Sequence, residues 1–149
     1  MRYSDKFSNK LNDLLNMNYK VEKIYLEAFK NATDDTLKAF FKERQIKRSE
    51  FSMELRKEID SHNIAPRSVN VLSKYYHKNQ MNDSNNDSLN DNENILFEIF
   101  NLLQTSIDSY NELLREINLP LSLCKILIRQ RDNIQDTMRV FQREDVFLS

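Results

Sequence analysis

Two arginines, Arg44 and Arg48, interrupt an apolar stripe in the stretch from Leu37 to Ile59 and are the first candidates for chemistry. At 100° per residue the apolar side chains of this stretch fall on one narrow helix face, with both arginines at its centre. A guanidinium group binds carboxylates and other anions through a planar fork of N–H donors. Inside a core its charge must be paired, because an unpaired buried charge is costly. The two arginines therefore predict either internal ion pairs or a small-anion site, to which Arg131 would also contribute.

The upstream stretch 7–29 shows the same arrangement, with Asn18 and Glu22 at the centre of its apolar stripe. If the two stretches fold into an antiparallel hairpin, Glu22 lies opposite Arg44 and Asn18 lies opposite Arg48. The spacing thus predicts a polar layer inside an apolar seam, with Glu22 and Arg44 as an ion pair.

Two later helical stretches extend this layer. Ser106 interrupts the stripe of the third, and Arg131 lies at the edge of the stripe of the fourth. An antiparallel register about Leu119 sets these two side chains near each other. The predicted polar core layer, a structural layer and candidate anion site, consists of Asn18, Glu22, Arg44, Arg48, Ser106 and Arg131.

A carboxylate-bridged metal centre in a helix bundle requires other residues. It takes a Glu from each of two helices and a Glu-x-x-His pair from each of the other two, and this sequence contains no Glu-x-x-His. His62 and His77 fall outside the interior stripes, Glu43 is off centre, and only Glu22 has a suitable position. We expect no catalytic residue, no bound metal and no cofactor. A degenerate metal-dependent or redox enzyme is the main alternative.

Other reactive side chains have ordinary structural explanations. Cys124 stands beside Lys125 near the start of the fourth helix, and without a histidine on its stripe we expect a structural thiol. The tyrosines at helical spacing are expected to pack in the core and the crossover. They are Tyr25, Tyr75, Tyr76 and Tyr110.

Composition excludes several classes of protein. The chain of 149 residues has no glycine, no tryptophan and two prolines, which argues against β-hairpins and excludes glycine-rich phosphate loops. Its formal charge of −1, with acids and bases interspersed, gives no nucleic-acid footprint. A single cysteine fits a reducing compartment. With no apolar leader segment and no membrane-spanning run, we expect a cytoplasmic protein.

The elements that position these residues form one all-α domain over residues 1–149. We predict a four-helix bundle made of two antiparallel hairpins, which are joined by a long crossover at 63–91 with a short extra helix at 67–78. Asn-rich residues 79–92 are expected to be the least ordered part between the termini. The predicted helices lie near 5–31, 35–61, 92–117 and 120–145.

The stretch from Leu11 to Ile59 resembles, without gaps, an uncharacterised bacterial family of ferritin-like four-helix-bundle proteins, a domain of unknown function. The similarity resumes at LSKYY (Leu72 to Tyr76) and returns from Tyr110 to Arg143, including INLP and the pair RQ. The resemblance implies a ferritin-like bundle, and the family brings no established reaction with it.

The chain departs from that family where ligands would be expected. Members commonly have acids near Leu103 and Gln104 and a histidine where Met138 stands. They also have Gly-Gly near Ser61 and a His-Arg-Gly-Trp-like run where residues 73–76 stand. We therefore expect a non-enzymatic helical bundle that acts through binding or self-association, with a homodimer as the candidate assembly. A degenerate enzyme and a small-anion binder are the alternatives.

Overall fold

The computed structural model describes residues 5–62 and 91–143, and these form four α-helices with no strand among them. The all-α prediction is therefore confirmed for this part of the chain. The helices are α1 (Asp5–Asn31), α2 (Asp35–Ser61), α3 (Asp91–Leu114) and α4 (Leu121–Arg143). The predicted short helix at 67–78 and the loop at 79–90 lie outside the described residues.

A short turn joins α1 to α2 and makes them an antiparallel pair. Asp34 has an extended backbone (φ −85°, ψ 129°), and its side chain accepts a hydrogen bond from the backbone N–H of Thr36 at 3.2 Å. This is an N-cap, which satisfies one of the backbone donors that the first turn of a helix leaves free. The cap fixes where α2 begins and so which face of α2 meets α1.

Each helix packs against two others. α1 lies against α2 and α3, and α4 lies against α3 and α2, so that α1 and α4 occupy opposite corners. Lys10 of α1 meets Glu112 of α3 at 3.1 Å, and Phe40 of α2 meets Phe141 of α4 at 5.6 Å between ring centroids. The four apolar faces form one core, whose largest fully buried side chains include Tyr25, Tyr110, Phe51, Phe141, Leu11 and Leu55.

The third helix is shorter than predicted. It ends at Leu114, three residues before the expected end at 117, because the backbone N–H groups of Arg115 and Glu116 bond carbonyls three residues back. Such bonds tighten and terminate a helix. Ile117 continues the helical spacing of the apolar residues Tyr110 and Leu113, yet it is 94 % exposed. The fourth helix starts at Leu121, where the Pro120 carbonyl accepts the first intrahelical bond from Cys124 at 3.0 Å.

Candidate functional site

Arg48 lies at the centre of the bundle, on the buried face of α2, and is 3 % exposed. Its Nη1 donates to Oδ1 of Asn18 on α1 at 2.8 Å and lies 3.5 Å from Oγ of Ser106 on α3. Ser106 in turn donates to the carbonyl of Leu102 at 2.7 Å. The guanidinium group therefore bonds neutral oxygens from two other helices, α1 and α3.

Asn18 uses both ends of its side-chain amide. While Oδ1 accepts from Arg48, Nδ2 donates to the carbonyl of Leu14 at 3.0 Å and to the hydroxyl of Tyr110 at 3.2 Å. Asn18 is fully buried. A buried polar group is stable only when its hydrogen bonds are made, and here the amide has a partner for each donor.

The chain of hydrogen bonds continues into α4. The Tyr110 hydroxyl donates to Oε1 of Gln130 at 2.6 Å, and Nε2 of Gln130 lies 3.3 Å from both the carbonyl of Phe51 and Oε1 of Glu54. Arg129 pairs with Glu54 at the surface end of this chain. We call the buried part of it the polar core network, and it consists of Asn18, Arg48, Ser106, Tyr110 and Gln130.

Burial dominates the electrostatics of the polar core network. It raises the pKa of Tyr110 to about 12, against the opposing effects of the Arg48 charge and the Asn18 hydrogen bond. It also lowers the pKa of Arg48, although Tyr25, Tyr110 and Glu22 favour its charged form. Charging either group in the folded protein thus costs more than charging it in water. The network holds a neutral phenol and a guanidinium cation at neutral pH.

Glu22 stands beside the polar core network and does not pair with Arg44 as predicted. Its Oε2 accepts from the Ser52 hydroxyl at 2.8 Å. Burial raises the pKa of the Glu22 carboxyl above its ordinary value, with hydrogen bonds from Ser52 and Ser49 and the charge of Arg48 acting in the opposite direction. The carboxylate is half-buried and is held by hydroxyl groups.

The direction of helical side chains explains why the predicted ion pair is wrong. Long side chains lean toward the N-terminus of their own helix. Glu22 therefore leans away from the α1–α2 turn, while Arg44 leans toward it, and their tips separate. The Arg44 guanidinium lies over the ring of Phe40 at 5.0 Å and reaches Glu43 only at 4.0 Å.

The predicted meeting of Ser106 with Arg131 is also wrong. Arg131 donates to Oδ1 of Asn111 at 3.0 Å and to Asp132. The contacts Asn111–Arg131 and Tyr110–Gln130 place α4 two to four residues from the register expected about Leu119. Gln130 therefore occupies the central position opposite Tyr110. Of the six predicted residues, the structure brings Asn18, Arg48 and Ser106 into contact and leaves Glu22, Arg44 and Arg131 outside that cluster.

Sequence reasoning missed the two residues that complete the polar core network. Helical spacing predicts core packing for Tyr110 and indicates no partner for its hydroxyl. Gln130, next to the predicted layer residue Arg131, is fully buried. The signal was present, since Gln130 follows Leu127 by three residues and precedes Ile134 by four, which is the spacing of a buried face.

The described residues contain no group of three or more His, Cys, Asp or Glu side chains that would hold a metal ion. Nε2 of His62 lies 3.1 Å from Oε2 of Glu58 on the last turn of α2. Cys124 is a free, partly buried thiol. The other histidine, His77, lies outside the described residues.

A second feature lies on the outer face of α2. Ile46 and Met53, seven residues apart, are 47 % and 67 % exposed. Met53 lines a groove of about 510 Å³ that also contains Tyr19 and Glu22 of α1. We call the two apolar side chains and the charged residues beside them the outer α2 face. They are Lys42, Glu43, Ile46, Met53, Lys57 and Asp60.

Over the described residues, the fold and its polar interior define a class of protein: four helices around a core that contains a hydrogen-bond network from all four. Residues 6–116 match the family described as Domain of unknown function (DUF2383), and the chain belongs to this family. The matched region contains α1 to α3 and ends before α4. No curated protein and no solved structure matches the chain. None of the helices in the described ranges is long and apolar enough to cross a membrane.

Proposed function

We propose that this protein is a ferritin-like helical scaffold that acts by self-association through the outer α2 face rather than by catalysis in its core. The ferritin-like arrangement is supported by the helix order: two short-loop hairpins, with α1 and α4 at opposite corners and residues 63–90 between the hairpins. The structural role of the core is supported by the polar core network, whose hydrogen-bonding groups mostly bond one another.

The observation that carries the proposal is the pattern of exposed residues on α2. Ile46 and Met53 stand at i and i+7, so they form a short apolar seam along the outside of the helix. An exposed apolar seam flanked by charged residues is typical of a helix that packs against another helix. In the described part of the molecule, α1 and α4 pack against other faces of α2, and α3 lies on the far side of the core.

A second copy of α2 fits this seam in an antiparallel orientation. A two-fold axis that sets Ile46 against the second copy's Met53 also sets Met53 against the second copy's Ile46, as an isologous interface requires. The same flanks of the two helices then meet. Glu43 comes opposite Lys57 on the flank toward α4, and Lys42 comes opposite Asp60 on the flank toward α1, where Lys42 lies over Phe29.

The charged residues on the two flanks therefore favour the antiparallel orientation of the two α2 helices. Each copy contributes an acid and a base to each flank, so two flanks and two copies give four opposite-charge pairs. Glu50 meets its own copy near the axis, and its repulsion is reduced by Lys47, whose Nζ lies 3.8 Å from the Glu50 carboxylate. Complementary flanking charges select partner and register in paired helices.

Sedimentation velocity over a concentration series tests the proposal. We expect the wild type to form a dimer, and Ile46→Glu with Met53→Glu to yield a folded monomer with unchanged helical circular dichroism. Phe97→Glu is the matched control, because Phe97 is 64 % exposed on α3, away from the seam, and its replacement leaves the dimer intact. A wild type that stays monomeric at about 100 µM would rule out self-association as the function.

A charge-swap series tests the orientation. Glu43→Lys alone and Lys57→Glu alone each place like charges across the interface and weaken the dimer. The two changes together restore an opposite-charge pair with its sign reversed and should recover most of the affinity. Failure of the double variant to recover would reject the antiparallel register while leaving dimer formation itself in place.

A further inference from the structure

Two arginines one helical turn apart on α2 keep buried nitrogen atoms without a hydrogen-bond acceptor in the described part of the chain. These atoms are Nη2 of Arg48 and Nε of Arg44. Arg48 is 3 % exposed, and Arg44 is only partly exposed. A buried N–H group that loses its water and gains no acceptor is destabilising, and more so when the group is charged.

Carboxylates lie near these arginines but do not neutralise them. The Glu22 charge favours the charged form of Arg48, yet Glu22 bonds Ser52, and within the described residues it forms no ion pair with either arginine. Glu43 reaches Arg44 at only 4.0 Å and is 74 % exposed, so water screens it. Neither guanidinium group therefore bonds a buried carboxylate in the described part of the chain.

Tyr25 of α1 is a buried phenol on which both arginines act. It is 1 % exposed, and its ring packs against Phe41 with centroids 6.5 Å apart. Because helical side chains lean toward the N-terminus of their own helix, its hydroxyl is directed away from the turn and toward the level of Arg48. The charges of Arg48 and Arg44 both act on this phenol and favour its ionised form, although burial raises its pKa overall.

We propose that Arg44, Arg48 and Tyr25 together hold one compact monovalent anion, such as chloride, inside the bundle between α1 and α2. N–H and O–H donors from these three side chains would replace the hydration of the ion. A single negative charge would pair with the buried Arg48 guanidinium group, whose hydrogen bonds in the described part of the chain go to neutral oxygens. The anion would also offset the free energy that burial of the Arg48 charge costs. This site is independent of the outer α2 face, so it stands or falls separately from self-association.

Bromide locates such a site directly, since it substitutes for chloride and scatters X-rays anomalously. Crystals of the wild type grown in sodium bromide should show an anomalous peak within hydrogen-bond distance of Arg48 Nη2 and Arg44 Nε. A density at that place without anomalous signal is a water molecule and would overturn the proposal. So would bromide peaks only at exposed lysine and arginine side chains, which mark adventitious ions.

A solution measurement gives an independent test. At constant ionic strength, replacement of gluconate by chloride should raise the Tm of the wild type by roughly 3–5 °C for each tenfold increase above the dissociation constant. Arg44→Gln and Tyr25→Phe should reduce this dependence. Arg56→Gln is the matched control, because Arg56 is an exposed arginine of the same helix that bonds Tyr19, and its replacement should leave the dependence unchanged. Equal chloride dependence in all four proteins would contradict the site.

Discussion

At the scale of single residues, Glu22 and Arg44 show how a small displacement separates two charged groups. The register of the α1–α2 hairpin places the two residues opposite each other. Their side chains nevertheless have other partners: Glu22 accepts a hydrogen bond from Ser52, and Arg44 lies over the ring of Phe40. Residues that share no contact contribute to stability independently. We therefore expect the losses from Glu22→Ala and Arg44→Leu to add to within about 0.5 kcal/mol in urea unfolding.

A double-mutant cycle on two residues that do contact each other provides the comparison. Asn18→Ala and Arg48→Leu remove the two partners of a buried 2.8 Å hydrogen bond, and their effects should differ from additivity by about 1–3 kcal/mol. Strong coupling between Glu22 and Arg44, equal to that of Asn18 and Arg48, would mean that the two charged side chains meet in solution.

Tyr110 predicts how stability depends on alkaline pH. Its folded pKa of about 12 lies above the ordinary value of 10, so the folded state keeps a proton that the unfolded state loses. The contribution is fully present below pH 10 and is lost as the pH rises from about 10 to about 12, by roughly 1.4 kcal/mol per pH unit. Urea unfolding of wild type and Tyr110→Phe at several pH values measures this loss.

In the Tyr110→Phe variant the free energy of unfolding should fall less steeply between about pH 10 and about pH 12. The variant lacks one phenol that keeps its proton in the folded state. Tyr25, whose pKa burial also raises, contributes in the same direction and remains in both proteins. Parallel pH profiles for the two proteins would show that Tyr110 titrates as an exposed phenol and that its bonds to Asn18 and Gln130 do not form.

Some contacts of the site follow from periodicity and others depend on side-chain direction. Opposition of Asn18 to Arg48 follows from the hairpin, because both residues stand at the centre of their stripes. Gln130 could have been recognised from its spacing to Leu127 and Ile134. The separation of Glu22 from Arg44 could not be predicted from spacing, because it depends on how far each long side chain leans along its helix.

At the scale of elements, the cap of α2 gives a prediction about the α1–α2 hairpin. Asp34→Ala removes the acceptor for the Thr36 N–H and should destabilise the protein by about 1 kcal/mol. Asp34→Asn keeps a capping oxygen and should cost much less. Asp35→Ala is the control, because Asp35 lies inside the first turn of α2 and contributes only through the helix dipole, about 0.3–1 kcal/mol.

Comparison of unfolding midpoints at equal m-values measures these three variants. A loss for Asp34→Asn as large as that for Asp34→Ala would show that the charge of Asp34 matters rather than its hydrogen bond. The turn NATDD offers two capping residues, Thr33 and Asp34, before an acidic first turn, and the hydrogen bond to the Thr36 N–H assigns the cap to Asp34.

The end of α3 was harder to predict from sequence. The apolar period continues through Ile117, and this periodicity alone favours a longer helix. The helix nevertheless ends at Leu114, where two i→i−3 bonds close its last turn before the Asn-Leu-Pro segment. The contacts Asn111–Arg131 and Tyr110–Gln130 place α4 two to four residues from the register that a turn about Leu119 would give, so Ser106 does not meet Arg131.

At the scale of the whole molecule, the polar core network joins elements that are far apart in sequence. Its bonds connect α1 to α2, α1 to α3 and α3 to α4, and Gln130 returns the chain to α2 at Phe51. The part of the chain that matches DUF2383 contributes three of these helices, and Gln130 comes from α4 beyond it. We expect this network to fix the relative register of the helices, since apolar packing alone tolerates several.

The most direct test of this account is the energetic coupling between Asn18 of α1 and Gln130 of α4, two residues on opposite helices that both bond the Tyr110 hydroxyl. A double-mutant cycle of Asn18→Ala and Gln130→Ala, measured by urea unfolding, should give a coupling of at least about 1 kcal/mol in the wild-type background. In the Tyr110→Phe background, where the shared hydroxyl is absent, the coupling should fall below about 0.5 kcal/mol. Additive effects of the two changes when Tyr110 is present would contradict the claim that one hydrogen-bond network unites the four helices.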